Sequence, residues 1–393
     1  MSELLDLLQT PELRAMVDAA AVPAPGTRVV VAMSGGVDSS VAAAVLRARG
    51  LDVVGIALQT TDYSKYLGDD SGGSCCSSKD MEDARRVSER LGIPFYVLGT
   101  EATFDANVVD YFVDEYLGGR TPNPCVMCNT RVKFNHLYKK AMNLGADCVA
   151  TGHFARVECD ETVGYQLVVG SDAKKDQSYF LFNLNQTQLS RTCFPVGHLT
   201  KPQVRQLGEA FGLLTAQKKE SQEICFVPSN DYKEFIAGRV DSAQMKTGFV
   251  ATLDGKPLCR HDGIHHFTLG QRKGLAKPFE AAQKAGLDVT DLFVVDIDPV
   301  NGTVYLGPAS ALLKTRARVR DVNWIGEDFP LGEREVQVKI RYRSAAVPAR
   351  LRVEEGATVI LELEAPQRAV TPGQAAVFFD GDRCLGGGWI ARL

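Results

Sequence analysis

From residue 27 to about 160 the chain alternates short β-branched runs with longer stretches of helical spacing. Val29–Met33 (VVVAM) reads as a buried strand, and the alanine-rich Ser39–Arg49 as the helix after it. Val53–Gln59 is a second strand. Lys79–Leu91 is a helix with Asp80 and Asp83 near its start and Gly92 beyond its end. Phe95–Leu98 is a third strand, Asn107–Leu117 a helix, Arg131–Leu144 a helix closed by Gly145, and Cys148–Thr151 a fourth strand. This alternation predicts an α/β fold, a doubly wound parallel sheet with helices on both faces. Ligands of such sheets bind at the carboxyl ends of strands, where Ser34 and Gly152 fall.

The pattern changes on either side. Residues 1–26 read as a short helical extension ending in Pro23-Ala24-Pro25-Gly26. Pro228-Ser229-Asn230-Asp231 starts a short helix, and glycine and proline then become frequent. Beyond about 300 the chain reads as strands and turns: 303–306, 317–324, 335–342, 349–353, 358–363 and 375–380. That spacing predicts a small β-barrel or sandwich. The division is 1–26 extension, 27–228 α/β domain, 229–300 central domain and 301–393 β domain.

Composition narrows the function classes. With 45% hydrophobic and 23% charged residues the 393-residue chain is an ordinary globular protein of two or three domains. No apolar run is long enough to span a bilayer, so no membrane partner is expected. The N-terminus carries no basic or transit-like character, which points to the cytoplasm. Ten cysteines there should be reduced, available for chemistry or metal rather than a disulfide framework. A formal charge of −4 excludes a globally basic nucleic-acid binder but leaves room for a local basic patch.

The most informative stretch is Ser34-Gly35-Gly36-Val37-Asp38-Ser39-Ser40, between the first strand and its helix. Two glycines let the backbone approach a ligand and adopt positive φ. Hydroxyls and N–H groups converge at the positive end of a helix, an anion site suited to phosphate. The turn holds no lysine and fits neither the Walker A nor the GxGxxG pattern.

The cysteines supply the second signal. Cys125 and Cys128 lie in Thr121–Asn129 (TPNPCVMCN), where two prolines stiffen the loop ahead of a helix expected from Arg131. A thiolate just before a helix N-terminus is favoured, which makes Cys128 a candidate nucleophile. The same CxxC is also half of a metal-ligand set, or two loop cysteines without a role. Cys225, in Lys218–Phe226 (KKESQEICF), would have its pKa lowered if the two lysines approach it. A cysteine between Ile and Phe is more often a small buried hydrophobe. Adjacent Cys75 and Cys76 read as a flexible loop with one buried thiol, Cys148 as core, and Cys159, Cys193, Cys259 and Cys384 receive no role.

The motifs coincide with a known set. SGGVDSS resembles the SGGxDS signature of PP-loop ATP pyrophosphatases, which split ATP between its α and β phosphates. In order follow TPNPCVMCN, Ala150–Phe154 (ATGHF), Lys175–Phe180 (KDQSYF), Ser221–Phe226 (SQEICF), His266–Gly274 (HFTLGQRKG) and Lys339–Arg343 (KIRYR). Over roughly residues 27–393 the chain closely resembles the tRNA-specific 2-thiouridylases. The resemblance implies a PP-loop catalytic domain, a small central domain and a C-terminal β-barrel. It implies thiolation of the wobble uridine of tRNAs for Lys, Glu and Gln, with ATP and Mg²⁺ as cofactors and a sulfur-carrier protein as persulfide donor.

The same resemblance implies residue roles. Cys225 carries the persulfide and Cys128 is its partner nucleophile, the two forming a transient disulfide. Ala32, Met33, Ser34, Gly35, Gly36, Val37, Asp38 and Ser39 cradle ATP, with Asp38 toward Mg²⁺ and Leu58 and Gly152 completing the nucleotide site. Asn123, Pro124 and Cys125 contact the target base. His153, Lys175, Asp176, Gln177, Arg341, Tyr342 and Gln374 contact tRNA. Cys125 stands where several relatives carry Asp, which puts an acid–base role there in doubt and leaves open an Fe–S cluster held by Cys125, Cys128 and Cys225. The rival class is a PP-loop ligase acting on a small molecule, which needs no cysteine pair. A non-enzymatic tRNA-binding module would release no AMP.

Overall fold

The computed structural model describes residues 3–60, 78–219, 224–227, 229, 231–326, 332–354 and 356–393. The reading of Cys75 and Cys76 lies outside them. Strands β1 (Arg28–Ala32), β2 (Asp52–Gln59), β3 (Phe95–Gly99) and β4 (Cys148–Thr151) run parallel. A hairpin of β5 (Ala155–Asp160) and β6 (Gly164–Val169) then leaves the sheet, and β7 (Thr192–Cys193) returns to its edge. The sheet order is β3-β2-β1-β4-β7. Its apolar runs work as a two-faced core. Val29 and Val31 join the layer under the Val37–Ala48 and Ser78–Leu91 helices, while Val30 joins the opposite layer with Val108, Val132 and Leu137. Alternate side chains of a strand point to opposite faces, so an unbroken apolar strand requires a cover on each side.

Two helices on the second face begin or run differently from expectation. Glu101–Leu117 is continuous but contains a π-helical stretch, Asp105–Val109. The helix expected from Arg131 begins at Pro124, capped by Asn123, and is π-helical from Cys128 to Leu137. Cys128 therefore lies inside the helix rather than ahead of it, and Cys125 takes the first-turn position. Proline at the first helical position, after an Asx cap, explains the earlier start.

The N-terminal extension packs on the α/β domain. Leu8 and Val17 are fully buried in its core, and Arg49 donates to the Val17, Asp18 and Ala20 carbonyls.

The central sheet comprises β8 (Gly248–Thr252), β9 (Pro257–His261), β10 (Phe293–Asp298) and β11 (Thr303–Gly307), in the order β10-β11-β8-β9. Placing the start of the barrel at 301 is corrected here: β11 pairs in parallel with β8. Six strands close the C-terminal barrel: β12 (Leu313–Trp324), β13 (Glu333–Lys339), β14 (Val347–Val353), β15 (Val359–Arg368), β16 (Ala375–Asp380) and β17 (Arg383–Ala391). β12 pairs with both β15 and β17, which closes the ring. β17 was missed in the sequence because Gly386-Gly387-Gly388 reads as a breaker. There the glycines give room: a Cβ at Gly387 would lie 2.5 Å from the Ala376 carbonyl oxygen and one at Gly388 2.6 Å from that of Arg320. β6 pairs with β17, so the hairpin leaving the α/β sheet extends the barrel and fixes the two together.

Candidate active site

The SGG turn sits at the end of β1. Gly35 has φ +70°, and a Cβ there would come within 2.1 Å of the Asp80 carbonyl oxygen. Gly36 caps the following helix without a side-chain hydrogen bond. Ser34 N–H donates to Ser39 Oγ at 3.1 Å, and Ser40 Oγ donates to the Gly36 carbonyl at 2.8 Å, which folds the turn back on the helix start. Gly152, ending β4, lies against that start: its Cβ would stand 2.5 Å from Ser39 N.

Sequence reasoning found no lysine in this turn, but the tertiary fold delivers two. Lys201 Nζ meets Asp38 Oδ1 at 2.6 Å, and the lysine is only 8% exposed. Lys218 Nζ donates to the Gly35 carbonyl at 3.1 Å and pairs with Asp80 at 2.5 Å and with Asp83. Burial works against its charge, but the hydrogen bonds to Asp80 and Asp83 prevail and raise its pKa. Lys218 therefore serves the turn; a lower pKa at Cys225 was expected only if the lysines approached that thiol. A clue to Lys201 lay in the sequence. Thr200-Lys201-Pro202 puts a cation at a helix N-terminus, against the dipole, and such a misfit signals a tertiary partner.

Beside Asp38 opens a cavity of about 860 Å³. Cys128 and Cys225 both line it, as do Pro124, Cys125, His153, Lys175, Asp176, Gln177 and Tyr342. The two π-helical stretches supply one wall, Val108 from the first and Cys128, Asn129 and Lys133 from the second. The barrel supplies the opposite side through Lys339, Tyr342 and Arg343. Cys225 enters from a turn closed by Val227 N–H to the Ile224 carbonyl. Phe226 anchors that turn against Phe104, Phe112 and Phe235, at ring separations of 5.7, 5.2 and 5.5 Å.

The remaining expected residues divide by what their polar atoms do. His153 is 9% exposed, its Nδ1 lies 2.6 Å from Thr151 Oγ1, and its ring packs between Phe134 and Phe194. Burial and then Lys133 hold its pKa well below the usual range, so it presents a neutral ring edge. Asp176 is 5% exposed. It accepts from Gly170 N–H, Ser178 N–H and Ser178 Oγ, and Lys339 Nζ lies at 3.4 Å. Gln177 Oε1 accepts from Phe154 N–H. Both hold the Lys175 loop in shape, and Lys175 is half-buried on the cavity wall. Tyr342 packs on Phe180 at 4.4 Å.

Arg341 and Gln374, expected to contact tRNA, do not line the cavity. Arg341 donates to the Arg368 carbonyl, and Gln374 Nε2 donates to the Thr121 and Pro122 carbonyls, holding the TPNP loop to the barrel. Arg341 and Tyr342 lie in the turn after β13, not on a strand. Asn123 caps its helix through Val126 N–H. Leu58 and Met33 are buried in the two core layers, and Ala32 ends β1.

Among the described residues no group of three or more His, Cys, Asp or Glu is placed to hold a metal ion. Cys125, Cys128 and Cys225 therefore do not form a cluster site, and the Fe–S expectation finds no support. Nor, among the described residues, is any helix long and apolar enough to cross a membrane.

A family profile described as "tRNA methyl transferase HUP domain" matches residues 27–229. Profiles described as "tRNA methyl transferase PRC-barrel domain" and "Aminomethyltransferase beta-barrel domain" match 233–308 and 314–390. The tRNA-specific 2-thiouridylase MnmA of Geobacter metallireducens is 48% identical over 367 residues, 92% of this chain and 96% of that protein. That of Rhodospirillum centenum is 47% identical over 370 residues, 93% and 92% of the two chains. The chain belongs to the tRNA-specific 2-thiouridylase family. Its fold is that of the family: a PP-loop α/β domain, a PRC-barrel middle domain and a closed six-stranded barrel.

Proposed function

We propose that this thiouridylase thiolates the wobble uridine of tRNA in the cavity between the SGG turn and the barrel. The observation that carries the reading is that Cys128 and Cys225, far apart in sequence, line one cavity together with Asp38 of the phosphate turn. The "methyl transferase" wording of two profiles calls for no thiol pair, whereas sulfur transfer uses both.

ATP is the activating substrate, and Mg²⁺ arrives with its phosphates. The turn from Ser34 to Ser39 seats the phosphates, and Asp38, already paired with Lys201, borders them. A uridine swung out of the anticodon stack enters between Cys125, His153 and Tyr342. Its O2 attacks the α-phosphorus, and pyrophosphate leaves. The oxygen, a poor leaving group, now departs as AMP. The terminal sulfur of a Cys225 persulfide attacks C2 and AMP is expelled. The Cys128 thiolate then attacks Cys225 Sγ, breaking the S–S bond and leaving sulfur on the base. The Cys128–Cys225 disulfide must be reduced by a dithiol before the next turnover, and a sulfur-carrier protein reloads Cys225. A cycle that needs its thiols reduced suits the cytoplasm. Lys175, Arg341 and Arg343 suit tRNA phosphates, and the acceptors are tRNAs for Lys, Glu and Gln.

The test is nucleoside mass spectrometry of tRNA incubated with the enzyme, ATP, Mg²⁺ and a persulfide donor. Sulfur replaces oxygen in the wobble uridine, and Cys225→Ser abolishes this while tRNA-dependent pyrophosphate release, from the adenylation that precedes sulfur attack, continues. Full thiolation by Cys225→Ser would overturn the reading.

A further inference from the structure

Three thiols line the cavity, and the sulfur-transfer cycle uses two of them. Cys128 and Cys225 are half-buried and pack against one apolar layer with Phe104 and Val108. Cys125 lies outside that layer and is exposed. Cys128 is the thiol common to both surroundings. It packs on the layer that carries Cys225, and it shares a helix with Cys125.

The turn from Cys125 to Cys128 is closed and regular. Asn123 caps it through Val126 N–H, Pro124 takes the first helical position, and Cys128 N–H donates to the carbonyls of both Pro124 and Cys125. Residues three apart on an α-helix share a face, with Cα atoms about 5 Å from each other. That lies inside the disulfide range of roughly 4.4–6.8 Å. Their Cβ atoms, about 5–6 Å apart, must close by about 1–2 Å. The first turn can supply this movement, because its N–H groups stand outside the helical ladder. A disulfide between Cys125 and Cys128 is therefore within reach of the fold, at an exposed helix start.

We propose that Cys125 is a further catalytic residue, the thiol that takes over the disulfide left by sulfur transfer. The Cys125 thiolate attacks Cys128 Sγ. The Cys125–Cys128 bond forms, the Cys128–Cys225 bond breaks, and Cys225 leaves as the thiolate. The proton lost by Cys125 is regained by Cys225, and the exchange itself neither gains nor loses electrons. The dithiol that closes the cycle then reduces Cys125–Cys128, whose outer sulfur is exposed, instead of a link between two half-buried sulfurs. Cys225 is released for reloading before that dithiol acts. The proposal rests on the thiouridylase reading for the Cys128–Cys225 disulfide.

The experiment is a single turnover of the full chain without reductant. The enzyme is loaded by a persulfide donor, separated from it, and mixed with tRNA, ATP and Mg²⁺. The reaction is quenched in acid, alkylated there with N-ethylmaleimide and digested with trypsin without reduction. Cys125 and Cys128 fall in one tryptic peptide, 121–131, and Cys225 in another, 220–233. In the unaltered protein, peptide 121–131 emerges unalkylated and lighter by a pair of hydrogens, in proportion to the sulfur found in tRNA, while Cys225 is alkylated. This form exceeds the cross-link between the two peptides at least about tenfold, which corresponds to about 30 mV between the two couples. In Cys125→Ser the cross-link accumulates at least about tenfold above its level in the unaltered protein, and Cys225 resists alkylation. The proposal is overturned if the unaltered protein ends with the cross-link and an alkylated Cys125, or if Cys225 of Cys125→Ser alkylates as readily as that of the unaltered protein. Stoichiometric metal that shields all three thiols until a chelator removes it overturns it as well. Sulfur in tRNA without the Cys125–Cys128 disulfide sinks this proposal alone, whereas no sulfur in tRNA removes the thiouridylase reading and this proposal with it.

Discussion

Replacing Gly152 with alanine tests how rigidly the sheet holds the phosphate turn. The added methyl would stand 2.5 Å from Ser39 N, 2.6 Å from the Asp38 carbonyl carbon and 2.9 Å from Ser39 Cα. All three are main-chain atoms, so no change of rotamer relieves them. Restoring ordinary contact requires the β4 end and the helix start to part by roughly 1 Å. Overpacking of this kind costs about 1–3 kcal/mol of stability. A misplacement of that size at a reacting group can cost on the order of 100-fold in rate. Gly152→Ala should therefore lower the urea midpoint and reduce tRNA-dependent AMP release by ten- to a hundredfold at saturating ATP, on the order expected for such a displacement.

Gly36→Ala is the informative contrast. Gly36 has an ordinary φ of −92°, and its Cβ would meet only Ser34 Oγ, at 3.5 Å. The protein accommodates it, and stability is unchanged or up by as much as about 1 kcal/mol through the unfolded chain. The methyl does stand on the turn proposed to seat the phosphates, so ATP affinity should fall while the urea midpoint holds. An active Gly152→Ala with an unchanged midpoint would refute the rigid-contact argument. A Gly36→Ala protein binding ATP normally would refute the seating of phosphate on this turn.

Phe226→Ala removes the anchor among Phe104, Phe112 and Phe235. Thiolation should fall at least about tenfold, a loss of roughly 1.4 kcal/mol, with single-turnover pyrophosphate release little changed; equal loss of both would place Phe226 in the nucleotide site. Asp176→Ala strips the acceptor from Gly170 N–H, Ser178 N–H and Ser178 Oγ, and each donor left buried costs about 1–3 kcal/mol. It should destabilise more, by urea unfolding, than Lys339→Met, which gives up an ion pair at 3.4 Å and a cation–π contact with Phe379. Acidification should destabilise the fold. Burial lowers the pKa of His153, His198, His261, His265 and His266, that of His265 to about 4. The unfolded chain then binds more protons below its ordinary histidine pKa of about 6.5, so stability is full above that pH and declines as pH falls through the window beneath it. Equal urea midpoints at pH 7.5 and about 5.5, both ends of the histidine range, would contradict this.

What the sequence made legible was what depends on local order. The apolar runs of β1 to β4 and the glycines of the SGG turn needed no partner to be read, because a two-sided core and a positive φ are written in residue type. Cys128 and Cys225 were legible only as motifs, since nothing in their spacing says that a turn anchored by Phe226 faces a π-helical wall. The lysines show where the limit lies. Lys201 and Lys218 reach the turn from 163 and 183 positions away, and their partners Asp38, Asp80 and Asp83 read in sequence as helix-start acids or a cation ligand. A buried ammonium needs a carboxylate and a buried carboxylate needs a cation, but sequence does not say which finds which. Whether Lys218 approaches Cys225 was left open in sequence, because proximity along the chain is not proximity in space. The same limit applies to Gln374: the resemblance implies a tRNA contact, and the fold adds that its amide holds two carbonyls of the TPNP loop. Motif residues that touch the cavity and motif residues that hold the cavity wall carry the same signature in sequence, and only the destination of each polar atom separates them.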